Sequence, residues 1–318
     1  MGGVGLRAVS PREYDETDVR VRPGRRGSRP RTKRRPEHAD ATPAMVVAVD
    51  RGRWTCVPDG AAPDDQAARV VAMRARELGR TPIVVGDRVG LVGDLSGGPN
   101  ALARIVRVAE RTSVLRRTAD DDDPYERVVV ANAEQLVIVT ALADPPPSAG
   151  FVDRALVAAY AGGLRPLLCL AKADLVGPGA VDEVAADWAE LDLPVVVTRY
   201  DRPPDELRGM LAGRVSAFLG HSGVGKSTLV NALVPEAERA VGEVSGVGKG
   251  RHTSSSAVAL PLAGAGGWVI DTPGVRSFGL AHVTATEVVT AFADLAEAVR
   301  DCPRGCGHLG PPADPECA

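Results

Sequence analysis

The sequence predicts a multidomain α/β chain: a small N-terminal β-barrel, a circularly permuted P-loop domain and a small C-terminal metal-binding module. Three observations carry this reading. Short strand-like segments without a long helix follow a basic arm. An alternation of apolar strands and helices then surrounds a glycine-rich phosphate loop. A Cys/His cluster closes the chain.

The 318 residues are enough for two or three cores. The composition, 44% hydrophobic and 25% charged, is that of a globular chain. No apolar run approaches the roughly 20 residues that span a bilayer, and the charged N-terminus is not followed by an apolar signal core. A membrane role is therefore not expected, and a cytoplasmic location is. The net charge of −3 hides an asymmetry, because Arg20, Arg22, Arg25, Arg26, Arg29, Arg31, Lys33, Arg34 and Arg35 occur with no acid among them. Residues 1–40 thus read as a disordered basic arm, rich in Pro and Gly.

Residues 41–118 read as the barrel, with strands at Met45–Val49, Trp54–Val57, Ile83–Val92 and Ala101–Val108 between Gly, Pro and Asp turns. The acidic run Asp120–Asp123 reads as a linker or exposed loop. Residues 119–280 then alternate: strand Leu136–Leu142, helix Phe151–Ala161, strand Leu167–Leu170, helix Val181–Leu191, strand Val195–Thr198, strand Val215–Leu219 and helix Lys226–Leu233. Such alternation predicts a parallel sheet covered by helices. Val258–Leu262 and Trp268–Ile270 read as a hairpin, and residues 281–318 as one helix, Thr284–Val299, followed by the metal module.

Gly220-His221-Ser222-Gly223-Val224-Gly225-Lys226-Ser227-Thr228 lies between a strand and a helix, the context a phosphate loop requires. Glycines let successive N–H groups turn inward, the helix N-terminus favours anions, and Lys226 reaches the β- and γ-phosphates while Ser227 ligates Mg²⁺. Asp271-Thr272-Pro273-Gly274 ends a strand, so its carboxylate suits Mg²⁺ and the Gly274 N–H suits a γ-phosphate. Between these segments the polar, glycine-rich stretch Ser245–Ser256 has the position of a switch loop. Thr253 is the first choice there for a Mg²⁺ ligand and Ser254 the second.

Ala171-Lys172-Ala173-Asp174 has the form of a guanine-reading element with Ala in place of its leading Asn. Asp174 can accept from guanine N1–H and the 2-amino group, and the Lys172 stem can cover the base. The missing Asn should weaken binding yet preserve selection against adenine. A second base loop is expected near Thr198 and Arg199. In an ordinary GTPase the guanine element follows the other two segments; here it precedes them, which marks a circular permutation. Val275 stands where many GTPases carry a water-orienting Gln. Hydrolysis should therefore be slow unaided, with His252 the best internal candidate to hold the water.

Cys302, Cys306, His308 and Cys317 offer three thiolates and an imidazole, a closed set suited to one structural Zn²⁺. Cys56 and Cys169 lie alone in apolar segments and read as small buried hydrophobes.

Barrel, Gly-His-Ser-Gly-Val-Gly-Lys-Ser, Gly-Arg-His-Thr, Asp-Thr-Pro-Gly-Val-Arg-Ser-Phe-Gly-Leu and Cys/Cys/His/Cys together resemble the ribosome small-subunit-dependent GTPases of the RsgA/YjeQ family, from about Ala41 to Cys317. The resemblance implies an OB-fold for the barrel, GTP/GDP and Mg²⁺ at the P-loop, and a zinc-binding module. It also implies 30S-stimulated GTP hydrolysis in late maturation of that subunit, with 16S rRNA as a contact. A monomer is expected. Ala171, the long Arg-rich arm and the end one residue after Cys317 depart from the family pattern, the last as a truncated end or a missing ribosome-contacting element. Trp54 is the one aromatic of the barrel segment, so folded RNA, read by shape and phosphate, is the expected ligand. An RNA-docking nucleotide sensor with incidental hydrolysis is the alternative. A large-subunit permuted GTPase fits less well, lacking barrel and zinc cluster.

Overall fold

The computed structural model describes residues 38–98, 101–118, 125–235, 257–262, 264–274 and 278–317. Most of the basic arm, the acidic run Asp120–Asp123, the stretch Ser245–Ser256 with His252, Thr253 and Ser254, and Val275 lie outside these residues.

The barrel consists of β1 (Thr42–Asp50), β2 (Arg53–Pro58), β3 (Val70–Arg74), β4 (Arg88–Gly93) and β5 (Ala103–Val108). β1 pairs with both β2 and β4, β2 with β3, β3 with β5 and β5 with β4, so the five strands close on themselves. Closure leaves no free edge. Alternating side chains such as Val46, Cys56, Ala72, Leu91 and Ile105 fill the interior. The segment read as one strand, Ile83–Val92, is a turn followed by β4, because Gly86 at φ +90° breaks the extended run.

After the barrel comes the hairpin β6 (Val114–Arg117) and β7 (Arg127–Ala131), two strands that the sequence reading did not assign. It is fastened at both ends. Val85 of the barrel bridges Val130, and Thr118 exchanges backbone hydrogen bonds with Gly279 at 3.1 and 3.3 Å.

The second sheet runs β10 (Val195–Val197), β9 (Arg165–Ala171), β8 (Gln135–Ala141), β11 (Val215–Gly220), β13 (Trp268–Asp271) and β12 (Val258–Pro261). Its first five strands are parallel and β12 is antiparallel. Every residue of β8 is buried, as expected for a strand covered on both faces. Helices α1 (Ala149–Ala161), α2 (Ala180–Ala186), α3 (Asp205–Leu211) and α4 (Lys226–Leu233) connect these strands. Ala48 of β1 pairs with Val258 of β12, making barrel and sheet continuous. Burial pushes the Cys56 and Cys169 thiols up to about 12, in keeping with inert apolar packing.

The expected helix Thr284–Val299 is two helices, α5 (Ala285–Ala291) and α6 (Ala293–Ala298), broken at Phe292. Phe292 is extended there, and its ring meets that of Tyr160 on α1 edge-on at 5.2 Å. Thr284 and Glu287 form a reciprocal cap at the start of α5. No helix among the described residues is long and apolar enough to cross a membrane.

Gly86 joins barrel to hairpin: its N–H donates to the Val46 carbonyl at 2.8 Å and its carbonyl accepts from Asn132 Nδ2 at 2.9 Å. A Cβ at this position would overlap the Ala131 carbonyl oxygen, and the backbone is left-handed. Gly86→Ala should therefore lower stability by more than about 1 kcal/mol, read as a fall in the thermal midpoint without loss of secondary structure.

Candidate functional site

The phosphate loop leaves β11, the strand flanked by β8 and β13, and turns into α4. Its turn depends on glycine. Gly223 and Gly225 have φ of +87° and +94°, and a Cβ at Gly220 would lie 2.8 Å from the Val139 carbonyl oxygen. Val224 is buried and anchors the loop, whereas Ser222, Gly223, Ser227 and Thr228 are exposed around its rim.

Lys226 is only 6% exposed, and its Nζ donates to the Asp271 carboxylate and to the Thr272 carbonyl. Thr272 is buried, with its hydroxyl donating to the Phe218 carbonyl at 2.6 Å. Gly274 lies so close to the loop that a Cβ on it would sit 3.6 Å from Ser222 Cα. Thus the two phosphate-side segments, distant in sequence, meet at one point. His221 sits on Phe151, the rings 4.2 Å apart and 62° inclined. Partial burial lowers its pKa below the ordinary imidazole value, favouring the neutral ring.

The base-reading segment arrives on β9. Ala171 is buried as the last residue of that strand, and Lys172 turns the chain at φ +61°. The Lys172 side chain runs beside the phosphate loop, its Cε 3.7 Å from where a Gly225 Cβ would be, and its Nζ donates to the Asp144 carbonyl. Asp174 begins no long helix; it lies in the short 3₁₀ turn Ala173–Leu175, and its carboxylate accepts from the Tyr200 N–H at 2.9 Å. The Ala173 N–H donates to the Thr198 carbonyl at 3.2 Å, and Arg199 reaches the Ala173 carbonyl at 3.4 Å. The loop expected near Thr198 and Arg199 therefore does adjoin Asp174. Tyr200 was not legible as its neighbour, since the bond is made by backbone.

In the C-terminal module the donor atoms of Cys302, Cys306, His308 and Cys317 all lie within 4.8 Å of one another. Gly305 and Gly310, at φ +85° and +67°, make the tight turns. The His308 N–H donates to Cys306 Sγ at 3.4 Å, while His308 Nδ1 is buried without a hydrogen-bond partner. Desolvation, together with the neighbouring thiols of Cys306 and Cys302, pushes the Cys317 thiol up to about 11. An imidazole with a ring nitrogen inside a cluster of three crowded thiols fits a tetrahedral divalent cation, which would take the sulfurs as thiolates. The donor set therefore suits one structural Zn²⁺. None of the described residues from 281 to 317 is fully buried, so this module has no apolar core to replace such a staple.

Comparison with known proteins agrees with this geometry. The sequence model of the RsgA GTPase family matches residues 108–281. The small ribosomal subunit biogenesis GTPase RsgA of Chlorobaculum parvum is 37% identical over 281 residues, covering 86% of this chain and 89% of the relative. The protein of the same name from Chlorobaculum tepidum is 39% identical over 248 residues, covering 76% and 78%. Among solved structures, YjeQ from Thermotoga maritima superposes with a TM-score of 0.63 at 25% identity, covering 87% of this chain and 88% of that one. YloQ, described as a circularly permuted GTPase, gives 0.61 at 22% identity with 89% and 88% covered, a likeness of fold. With its phosphate loop, its permuted order of strands and its Cys/His cluster, the chain is a member of the RsgA GTPase family.

Proposed function

We propose that this chain is a GTP hydrolase that acts in late maturation of the small (30S) ribosomal subunit, contacts 16S rRNA, and uses hydrolysis to time its release. The observation that carries the reading is the convergence of three signature segments: Lys226 bonded to Asp271 and Thr272, Gly274 beside Ser222, and Lys172 along Gly225. The names of the relatives, small ribosomal subunit biogenesis GTPase, supply the biological context.

GTP places its β- and γ-phosphates in the loop Gly220–Thr228, where N–H groups and the start of α4 favour negative charge. Lys226 would turn from Asp271 to the phosphate oxygens, and Asp271, with the Ser227 and Thr253 hydroxyls, would hold Mg²⁺ when it is bound. That ion supplies neutralisation of the charge developing on the phosphate oxygens. The Gly274 N–H addresses the γ-phosphate, and His252 orients the attacking water in place of the Gln that Val275 replaces. Asp174 reads guanine N1–H and the 2-amino group while Lys172 covers the base. Residues 1–40 serve as a basic arm, 41–118 as the RNA-facing barrel, 119–280 as the GTPase and 281–318 as the zinc-stapled module. The protein acts as a cytoplasmic monomer.

Hydrolysis measured alone, with purified 30S and with 50S subunits tests the reading directly. Turnover should be slow alone and rise with 30S only, and His252→Ala should remove about 10² of the stimulated rate; equal rates in all three conditions would defeat it. Asp174→Ala should cut the preference for GTP over ATP by at least about tenfold, since the guanine donors lose their acceptor, measured by competition against a labelled nucleotide. Metal analysis should find one zinc per chain, and chelation should unfold residues 281–317 with the nucleotide-binding core intact, seen as new protease sensitivity confined to that module.

A further inference from the structure

A cavity of about 260 Å³ lies where the barrel, the β6–β7 hairpin and the Asp271-Thr272-Pro273-Gly274 segment meet. Val49 and Val85 wall it from the barrel, Val128 from the hairpin, and Thr272, Pro273 and Phe278 from the phosphate-sensing side. Two further lining residues, Arg117 and Arg127, stand directly opposite each other across the antiparallel pair. Like charges in opposed positions destabilise a hairpin. The same hairpin pairs Arg116 with Glu126 at 3.0 Å, yet no carboxylate of the described residues lies within ion-pair distance of Arg117 or Arg127. Two opposed guanidiniums at an apolar cavity make a fork for one anion with an apolar body attached.

We infer that this cavity binds a nucleoside phosphate, with the phosphate between Arg117 and Arg127 and the base against Pro273 and Phe278. Size argues for one base rather than an acyl chain, since the space falls below the roughly 300–1,000 Å³ of ordinary ligand pockets. A base is also a flat apolar body that suits a cavity lined by Pro273 and Phe278. Position adds a consequence. Arg117 adjoins Thr118, whose backbone exchanges hydrogen bonds with Gly279 and whose Oγ1 accepts from the Ala281 N–H at 3.3 Å. An occupant therefore touches Thr272 and Pro273 on one side and the clamp on the segment after Phe278 on the other. If the nucleotide belongs to an RNA strand, docking is felt at the GTPase centre. That arm rests on the proposed contact with rRNA; the cavity and its chemistry do not.

The test uses the full chain and a dodecamer of uridylate carrying one 4-thiouridine. Irradiation should crosslink it to a peptide containing Phe278 or Val128, and Arg117→Gln/Arg127→Gln should lose that crosslink roughly tenfold or more. The double variant should keep its affinity for GTP and its thermal midpoint, because it removes opposed like charges. The log–log salt slope of dodecamer binding should shrink by about 0.7, the contribution of one single-strand phosphate. Val128→Phe, which fills the cavity and leaves both arginines, should weaken the crosslink with the slope retained. Displacement of the crosslink by millimolar UMP would identify a free mononucleotide as the source, and persistence against UMP an RNA strand; either supports the site. An unchanged crosslink and slope in the double variant would overturn it, as would a fall in thermal midpoint, which would make the arginines internal partners of the chain's own Asp120–Asp123 run. Loss of the crosslink in the variant with no 30S stimulation of the wild type would leave the site standing and remove the ribosomal reading instead.

Discussion

The contact of Lys226 with Asp271 and the Thr272 carbonyl is the constraint on which the rest of the molecule turns. A lysine this buried is costly to desolvate and needs a partner of opposite charge. The sheet supplies one, because β11 and β13 are parallel neighbours in a register that sets Phe218 opposite Asp271. The phosphate loop continues from β11 and the Asp271 segment from β13, so both must emerge at the same end. The Thr272 hydroxyl, bonded to the Phe218 carbonyl, fixes that register from the side. The pair Lys226–Asp271 thus leaves neither charge uncompensated at the point where the phosphate loop and the Asp271 segment meet.

The chain beyond Asp271 is tied in turn. Gly279 is held by Thr118 of the hairpin, and Val85 of the barrel bridges the opposite strand of that hairpin. The permutation is what makes this possible. Because the chain enters the sheet from the barrel and leaves it after Asp271, the hairpin at the entry and the segment at the exit lie side by side. Helix α1 forms a second link. Phe151 near its start packs on His221 of the phosphate loop and on Phe278, while Tyr160 near its end packs on Phe292 between α5 and α6. Edge-to-face aromatic pairs of this kind contribute about 0.5–1.5 kcal/mol beyond the area they bury.

The phosphate loop, the parallel sheet and the Cys/His cluster were legible in the sequence because each is a local pattern: glycines where φ must be positive, continuous apolar strands, and ligands at short spacing. The losses were equally physical. β3 was missed because Val70–Arg74 alternates buried and exposed residues over only five positions. Helix α3 was missed because Asp205–Leu211 spans barely two turns and buries only Leu207 and Leu211. The β6–β7 hairpin was missed because its strands are only four and five residues long and the bridges that fasten it, to Val85 and Gly279, are remote in sequence. The break at Phe292 carries no Pro or Gly; it arises from a contact with Tyr160, remote in sequence. The segment Thr198–Tyr200 adjoins Asp174, but the Tyr200 N–H that holds the carboxylate leaves no side-chain signature.

The C-terminal module shows why such couplings need a rigid end. Helices α5 and α6 contain no fully buried residue among those described, and Leu295 and Leu309 are largely exposed. Helices of seven and six residues do not persist in water on their own propensity. Among the described residues, the Thr284–Glu287 cap, the Phe292 contact to α1 and the four-residue Cys/His cluster are placed to order the module. A tetrahedral cation bound by Cys302, Cys306, His308 and Cys317 would fix their positions relative to one another and make this stretch of turns a single body. The backbone pair Thr118–Gly279 and the Ala281 N–H bonded to Thr118 Oγ1 tie the start of this module to the hairpin, so the module is joined to the chain that follows Asp271 by hydrogen bonds as well as by sequence.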